Sequence, residues 1–288
     1  MLTSFSIRAC GRSLVALRPQ VVAVLNITPD SFSDGGRYLD QDAAVARAEQ
    51  LVADGADWLD IGAESTRPGA QPVGEEEETA RLLPVLERVA ARVTVPISVD
   101  TMKAAVARRA LDAGAIVVND VSALRADPAM ASLVAERGAG LVLMHMQGTP
   151  QTMQQQPQYE HVLSDVRSFL RARLREAVSL GITPDQIVLD PGIGFGKLGE
   201  HNLALLRHLP ALGALGRPIM IGVSRKAFLG KLTGRAIDER GAATATAVAL
   251  AVERGAQLLR VHDVKPVRDA VAVTMAVCGS NTGPIEQA

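Results

Sequence analysis

Cysteine is scarce in this chain: only Cys10 and Cys278 occur in 288 residues, near opposite ends. Two cysteines so far apart form no disulfide framework and are typical of a reducing compartment, so we expect a cytoplasmic protein. Histidine is also scarce, and the five histidines include no HExxH or His-x-His pairing. This spacing argues against a dedicated zinc site.

Long apolar runs and a charge excess of one sign are absent as well. No apolar run approaches the roughly 18 residues that a membrane-spanning helix needs. The 30 basic and 31 acidic residues occur in mixed order and leave a formal charge of −1. Because no basic stripe is present, the sequence predicts neither nucleic acid nor a membrane surface as a partner. A small-molecule substrate is expected.

The chain has no linker rich in serine, proline and glycine, and 48% of its residues are hydrophobic. This length and composition predict one domain over residues 1–288 with a large core at about 20–280. The first 29 residues contain three arginines and no acid, which is also a feature of transit peptides. However, apolar residues alternate over 5–9 and 14–16, which favours a β-hairpin that closes the bottom of the domain.

One pattern occurs four times: a helical stretch ends in Gly-Ala and a short apolar run follows. The copies are DGADWLDIG, DAGAIVVND, ERGAGLVLM and ERGAQLLRV. In each copy the glycine is the expected left-handed residue after the helix, a conformation that costs glycine little. Three more runs follow a proline or a Pro-Asp turn, in VPISVDT, RPIMIGVSR and TPDQIVLDPG. With residues 21–27 these make eight strands.

Helical spacing of apolar residues between the strands, as at Val45, Ala48 and Leu51, completes a strand–helix alternation. Eight such units predict an α/β fold, a (β/α)8 TIM barrel, whose usual length of about 250 residues fits. The nearly all-apolar strands agree with burial on both faces. A doubly wound open sheet is the alternative, but it needs edge strands, and none of the eight is shorter or more charged than the rest.

Every predicted strand ends in polar residues. In chain order they are Asn26, Glu64 to Arg67, Asp100, Asn119 with Asp120, His145 with Gln147, Asp190, Ser224 to Lys226, and His262 with Asp263. In TIM barrels the active site lies at the carboxyl ends of the strands. Buried polar groups there need partners such as water, one another or a ligand. We therefore expect a polar ligand site at this rim.

The residue types predict two kinds of ligand group. Asp100, Asn119, Asp190 and Lys226 suit the edge of a planar heterocycle rich in N–H donors. A cationic group on the second and eighth barrel strands suits a phosphate or pyrophosphate; its members are Arg67, Arg260 and His262. Asn26, on the first strand between these two, could ligate a hard cation such as Mg²⁺ through its amide oxygen.

The segment after Asn26, TPDSFSDGG, is typical of neither a strand nor a helix. We expect it to fold over the barrel mouth as a lid hinged at Gly35 and Gly36, with Phe32 against the substrate. A second loop-like segment, GIGFGK at 192–197, resembles a phosphate-binding loop. It matches neither GxxxxGK[ST] nor GxGxxG, so by itself it is a weak signal.

As a set, these motifs resemble the dihydropteroate synthase family of folate biosynthesis. The matching stretches are LNITPDSFSDGG, DIGAESTRPGA, SVDT, VNDVS, MHMQGTP, LDPGIGFGK, GVSRK and RVHDV, in family order from residue 25 to 264. The resemblance implies that 6-hydroxymethyl-7,8-dihydropterin pyrophosphate condenses with p-aminobenzoate to give 7,8-dihydropteroate and pyrophosphate. It also implies a Mg²⁺ cofactor, sulfonamide inhibitors and a homodimer.

Family roles then fall on residues of this sequence. Pterin contacts are implied for Asp100, Asn119, Met144, Asp190 and Lys226. Pyrophosphate contacts are implied for Asn26, Arg67, Arg260 and His262, with Asn26 on the metal. The p-aminobenzoate pocket is implied for Phe32, Thr66, Pro68, Phe195 and Ser224, and catalytic roles for Asp100, Asp190, Lys226, Arg260 and His262.

Two other functions remain open on sequence grounds. A pterin-dependent methyltransferase shares the barrel and the pterin-holding residues, but STRPGA, SRK and RVHDV would have no purpose in methyl transfer. A non-catalytic pterin-binding paralogue would be expected to have lost phosphate, metal or lid residues, and none is lost here. The expected mechanism is dissociative, because an arylamine is already unprotonated at neutral pH and catalysis should act on the leaving group.

Overall fold

The protein was analysed as a computed structural model that describes residues 4–27 and 37–278. The predicted lid, including Phe32, lies outside the described residues. No helix in the described part of the chain is long and apolar enough to cross a membrane.

An antiparallel hairpin precedes the barrel, as predicted. Its strands are β1 (Phe5–Ala9) and β2 (Arg12–Ala16), joined by a turn in which Gly11 has φ 75°. Phe5, Ile7 and Ala9 are buried and pack against apolar side chains at the amino ends of the barrel strands, among them Val22 and Trp58. Since the hairpin covers the end at which the strands begin, it closes the bottom of the barrel.

Eight parallel strands follow within the described residues. They are β3 (Gln20–Asn26), β4 (Trp58–Gly62), β5 (Ile97–Asp100), β6 (Val117–Asp120), β7 (Gly140–Met144), β8 (Ile187–Asp190), β9 (Met220–Ile221) and β10 (Leu258–Val261). Neighbours in space are neighbours in sequence, and β10 pairs with β3. A single bridge between Leu189 and Ile219 joins β8 to β9, which completes the barrel. The TIM-barrel prediction is confirmed.

Helices alternate with the strands and cover the outside of the barrel. They are α1 (Arg37–Ala53), α2 (Glu75–Ala90), α3 (Ala104–Asp112), α4 (Ala129–Arg137), α5 (Val162–Ser179), α6 (Gly199–Arg207), α7 (Pro210–Gly213), α8 (Ala227–Thr233), α9 (Gly241–Glu253) and α10 (Val264–Val277). The predicted helix-ending glycines all have positive φ; they are Gly55, Gly114, Gly138 and Gly255. Left-handed geometry there turns each chain segment back toward the next strand.

Candidate active site

The register of the parallel strands places the predicted site residues on one rim. Asp100 lies opposite Asn119 in the pairing of β5 with β6, and Met144 lies opposite Asp190 in the pairing of β7 with β8. Asn26 ends β3 opposite Gly62 of β4. Because parallel strands share a direction, residues that are far apart in sequence meet at the carboxyl end of the barrel.

Two buried acceptor atoms in this rim lack a hydrogen-bond partner among the described residues. They are Asp100 Oδ1 and Asn119 Oδ1, in side chains that are almost fully buried. An unpaired buried acceptor costs about 1–3 kcal/mol, so such atoms are rarely left without a donor. The rim is therefore prepared for a ligand that brings N–H groups to these two oxygens.

Asp190 and Lys226 form the opposite part of the same site. Burial raises the pKa of Asp190 to about 6, although the Gly192 N–H, 2.7 Å from Asp190 Oδ1, and the charge of Lys226 both act to lower it. Burial lowers the pKa of Lys226 to about 8, with repulsion from Arg260 acting in the same direction. The Lys226 ammonium lies 4.1 Å from the centre of the Phe195 ring, a cation–π contact.

Arg260 is placed differently from the sequence prediction, which grouped it with Arg67 and His262 as a free cationic cluster. Its Nε donates to Asp60 Oδ2 at 2.6 Å and its Nη2 donates to Asp100 Oδ2 at 2.7 Å. The guanidinium thus crosses the barrel interior and pairs with two buried carboxylates. Burial raises the pKa of Asp100, and the charge of Arg260 opposes that rise.

Asp60 is the site residue that the sequence reading missed. It is 1% exposed, and its oxygens accept hydrogen bonds from Ser98 Oγ at 2.5 Å and Asn119 Nδ2 at 3.1 Å as well as from Arg260. By accepting from Nδ2, Asp60 fixes the orientation of the Asn119 amide and leaves its Oδ1 available to a ligand donor. The detectable signal was a charged residue inside the apolar strand WLDIG, which must have a buried partner.

His262 also differs from the predicted cationic cluster. Burial and the charges of Arg260 and Arg225 lower its pKa to about 4, so the imidazole is neutral at pH 7. Its Nδ1 lies 3.0 Å from Ser224 Oγ, and its backbone N–H donates to the same oxygen at 3.2 Å. Ser224 and His262 therefore meet between the last two strands, and an arriving anion would favour protonation of the ring.

Most of the remaining predicted residues in the described part of the chain lie on loops at the same rim, and Met144 ends β7. Thr66, Arg67 and Pro68 follow β4, and the Gly69 N–H ties this loop to Pro150 O at 3.1 Å. Met144 is buried in a cluster of apolar side chains with Val121, Met146 and Met153, against which Phe195 packs. These side chains form an apolar wall beside the unpaired acceptors.

Several polar residues at the strand ends stabilise the fold and do not line the barrel mouth. Asp120 accepts the backbone N–H groups of Ser122 and Leu124, which fixes a turn. Asp263 accepts from Arg225 through both carboxylate oxygens. Polar residues at strand ends thus include structural groups as well as candidate ligands.

Asn26 presents an amide oxygen of the kind that Mg²⁺ accepts, at the end of β3. The described residues contain no group of three or more His, Cys, Asp or Glu side chains able to hold a metal. The donor set fits Mg²⁺ bound chiefly by substrate phosphates, since Mg²⁺ keeps waters and takes few protein ligands in such sites.

Comparison with known proteins shows the family to which the chain belongs. A family described as "Pterin binding enzyme" matches residues 22–262. The dihydropteroate synthase of Neisseria meningitidis serogroup B is 49% identical over 274 residues, which are 93% of this chain and 96% of that protein. This chain belongs to the dihydropteroate synthase family.

Solved structures of the family have the same fold. Xanthomonas albilineans dihydropteroate synthase with 4-aminobenzoic acid has a TM-score of 0.89 and 47% identity, covering 97% of this chain and 100% of that one. The same enzyme in complex with 7,8-dihydropteroate has a TM-score of 0.86 and 44% identity, covering 96% and 100%. A Yersinia pestis dihydropteroate synthase–sulfonamide complex has a TM-score of 0.90 and 41% identity, covering 96% and 100%.

We expect the pterin affinity of this dihydropteroate synthase family member to rise with pH through about 6. The physical reason is that burial raises the pKa of Asp190 to about 6, and a carboxylate at this position would accept N–H groups of a pterin through both oxygens only when it is ionised. The free energy of unfolding should change with pH in the opposite direction. The contribution of Asp190, whose folded-state pKa is raised, is fully present below about pH 4 and is lost as the pH rises through about 6. Calorimetric titration of 6-hydroxymethylpterin between about pH 5 and pH 8 measures the effect. An affinity independent of pH would contradict it.

Proposed function

We propose that this chain condenses 6-hydroxymethyl-7,8-dihydropterin pyrophosphate with p-aminobenzoate, giving 7,8-dihydropteroate and pyrophosphate. The observation that carries the proposal is the pair of unpaired buried acceptors, Asp100 Oδ1 and Asn119 Oδ1, on the same rim as the ionisable Asp190. A pterin edge carries adjacent N–H donors that such acceptors bind. Membership of the family supplies the reaction.

The pterin would lie between the polar rim and the apolar wall. Asp100, Asn119 and Asp190 accept its N–H groups, and the Lys226 ammonium donates to a ring acceptor. Met144 packs against the ring face. Once Asp60 and Arg260 have fixed the pterin side of the site, little rearrangement is needed when substrate arrives, which favours transition-state stabilisation.

Pyrophosphate would leave toward Arg67, His262 and Asn26. Arg67 is exposed on the loop after β4, where its guanidinium can turn to an anion. Its backbone N–H donates to Ser65 Oγ at 3.4 Å, and its carbonyl oxygen accepts from the Ala70 N–H at 3.1 Å. Arg260 contributes through Nη1, since its Nε and Nη2 already bind carboxylates. When bound, Mg²⁺ supplies charge neutralisation at the phosphate oxygens.

The second substrate would occupy the outer part of the mouth. Phe195 and Ser224 face it from the loops after β8 and β9, and Thr66 and Pro68 from the loop after β4. Phe32 completes this set in the proposal, although it lies outside the described residues. Sulfonamides would compete for the same place.

In the proposed chemistry the bond between the pterin methylene carbon and the pyrophosphate oxygen breaks first, and its electron pair leaves with pyrophosphate. The methylene cation is delocalised into the pterin ring, where the carboxylates of Asp100 and Asp190 stabilise it. The neutral arylamine nitrogen then attacks the methylene carbon and releases a proton to water. No side chain has to act as a strong base.

The proposed function is tested by supplying both substrates to the purified protein, with and without Mg²⁺, and measuring 7,8-dihydropteroate by mass spectrometry. Stoichiometric dihydropteroate and pyrophosphate are expected only with both substrates and Mg²⁺. Pterin binding without any product, under conditions in which a family enzyme turns over, would overturn the proposal in favour of a binding protein.

Replacing His262 by alanine should slow turnover more than it weakens pterin binding. The imidazole hydrogen-bonds Ser224, and in the proposed site it faces the departing pyrophosphate and not the pterin acceptors. Losing one hydrogen bond to a charged group costs about 1.5–3 kcal/mol, or roughly 10- to 150-fold in kcat. Steady-state kinetics and titration with a pterin lacking pyrophosphate check this, with the exposed His161 changed to alanine as control. Equal losses in kcat and pterin affinity would argue against the role.

A homodimer is part of the proposal. Helices α9 and α10 pack on each other and expose Leu250, Val273 and Val277, of which Val277 is 80% exposed. Apolar side chains on adjacent helices are suited to a second copy of the chain. Sedimentation velocity measures the assembly. We also propose a cytoplasmic location, which suits the two free cysteines.

A further inference from the structure

The glycine-rich segment at 192–197 folds around a lysine of the chain itself. Lys197 is 3% exposed, and its Nζ lies 2.9 Å from the carbonyl oxygens of Gly192 and Phe195. It also lies 2.9 Å from His145 Nδ1 and 3.3 Å from His145 O. Four acceptors from two loops therefore surround one ammonium group.

This geometry is opposite to that of a phosphate-binding loop, which turns backbone N–H groups toward its anion. Here three of the N–H groups already have acceptors within the protein: Gly192 N donates to Asp190, Gly194 N to Asn202 and Phe195 N to Gly192. The carbonyl oxygens of Gly192 and Phe195 turn to Lys197 instead. The segment that resembled a phosphate loop in the sequence is a cation-binding loop whose cation is Lys197.

Close packing explains the glycines of this segment. Gly192, Gly194 and Gly196 all have positive φ, and a Cβ at Gly192 would lie 1.9 Å from His145 O. A Cβ at Gly194 would lie 2.8 Å from Lys226 Cδ. The segment thus fits against both the His145 loop and the Lys226 side chain, and it has no room to shift.

Two contacts connect Lys197 to the substrate site. Gly192 donates its N–H to Asp190 Oδ1 at 2.7 Å and offers its carbonyl to Lys197. Phe195 offers its carbonyl to Lys197, and its ring covers the Lys226 ammonium. The buried Lys197 ammonium therefore holds both Gly192, which binds Asp190, and Phe195, which faces p-aminobenzoate in the proposed site.

We propose that Lys197 is a positioning residue for the condensation: its buried ammonium fixes the segment 192–197 so that Asp190 and Phe195 meet the two substrates. The proposal rests on the proposed function. Lys197 itself touches neither substrate, since its Nζ is enclosed by the loop carbonyls and His145.

The charges around Lys197 support this role. Burial lowers its pKa to about 7, and the carboxylate of Asp190 opposes the shift while Lys226 adds to it. Burial, together with the charges of Lys197 and Arg125, lowers the pKa of His145 to about 2, so its ring is a neutral acceptor. Asp190 is faced by Lys226 and Arg260 as well as by Lys197, and all three positive charges favour its ionised form.

The test compares Lys197→Met with Lys231→Met, an exposed lysine on α8. Lys197→Met should lower kcat about 10- to 100-fold through misplaced contacts. Without the positive charge of Lys197, the pKa of Asp190 should rise. As the pH is lowered, the variant should therefore begin to lose pterin affinity at a higher pH than the parent. Lys231→Met should match the parent. A Lys197→Met enzyme with the parent's kcat and pH profile overturns the proposal.

Rescue separates positioning by the ammonium from a general packing role. In Lys197→Ala, added propylammonium should restore part of kcat, whereas 1-propanol should not. Equal restoration of kcat by propylammonium and by 1-propanol overturns the proposal. A variant that loses kcat but keeps the parent's pH dependence of pterin affinity also overturns it. If the parent makes no dihydropteroate, the proposed function fails, and the pH profile of pterin affinity still tests Lys197.

A measurement on the parent covers the case in which the variants do not fold. The chain has only five lysines, so Nζ resonances of ¹⁵N-labelled lysine can be assigned one by one. Because binding effects are reciprocal, pterin bound at Asp190 must change the titration midpoint of Lys197. An unchanged midpoint overturns the proposal.

Discussion

Changing Asp190 to asparagine should remove most of the pterin affinity while the barrel stays folded. The carboxylate accepts from Gly192 on one oxygen, and its ionised form offers the pterin charge-assisted hydrogen bonds that an amide cannot match. The expected loss is about 2–4 kcal/mol, or roughly 30- to 1,000-fold in affinity. Calorimetric titration of 6-hydroxymethylpterin at pH 7.5 measures it, a condition under which Asp190 of the parent is ionised.

The matched control is Asp238→Asn, since Asp238 is exposed on the loop after α8. It should bind pterin as the parent does. Near-parental affinity in Asp190→Asn would show that the pterin lies elsewhere. A variant that unfolds, detected by circular dichroism, would show that Asp190 holds the loop at 192–197 rather than the ligand.

Changing Arg260 to alanine should damage the fold as well as the site. The guanidinium is the shared partner of Asp60 and Asp100, and its removal leaves two buried carboxylates facing each other. Breaking a buried ion pair from one side costs about 3–5 kcal/mol in free energy of unfolding. Urea unfolding at pH 7 is the measurement. Pterin affinity should fall too, because loss of this cation raises the pKa of Asp100 further.

The effect of Arg260→Ala should shrink in acid. Asp100, whose pKa burial raises, carries no buried charge once it is protonated in both the folded and the unfolded state. The deficit in free energy of unfolding should therefore be smallest below about pH 4 and grow toward neutral pH. Arg235→Ala, an exposed arginine, should change stability by less than about 1 kcal/mol. If Arg260→Ala lowers the free energy of unfolding no more than Arg235→Ala does, the Arg260 guanidinium is not a buried partner of Asp60 and Asp100.

This pair of carboxylates also changes how a leaving-group test has to be designed. The sequence prediction treated Arg260 and His262 as equivalent cations for pyrophosphate. In the structure, Arg260 pairs with Asp60 and Asp100, and His262 is a neutral ring hydrogen-bonded to Ser224. In the proposed site, His262→Ala therefore reports on the leaving group, whereas Arg260→Ala changes the pterin side, the stability of the fold and the Nη1 contribution to the leaving group together.

The amino-acid sequence determined the barrel, the hairpin at its bottom and the polar rim. The reason is local: repeated Gly-Ala helix ends and apolar runs set each strand and its direction, and parallel strands must bring their carboxyl ends together. Asp100, Asn119 and Asp190 could therefore be placed on one face from their positions after the strands.

Pairing between distant side chains was decided only by the tertiary structure. Arg260 and Asp60 are 200 positions apart, and neither neighbourhood in the sequence indicates that they meet. The same holds for Lys197 and His145, whose contact turns an apparent phosphate loop into a cation-binding one. A sequence pattern shows that a buried charge needs a partner, but which partner it finds depends on the barrel's register and diameter, and these exist only in the folded chain.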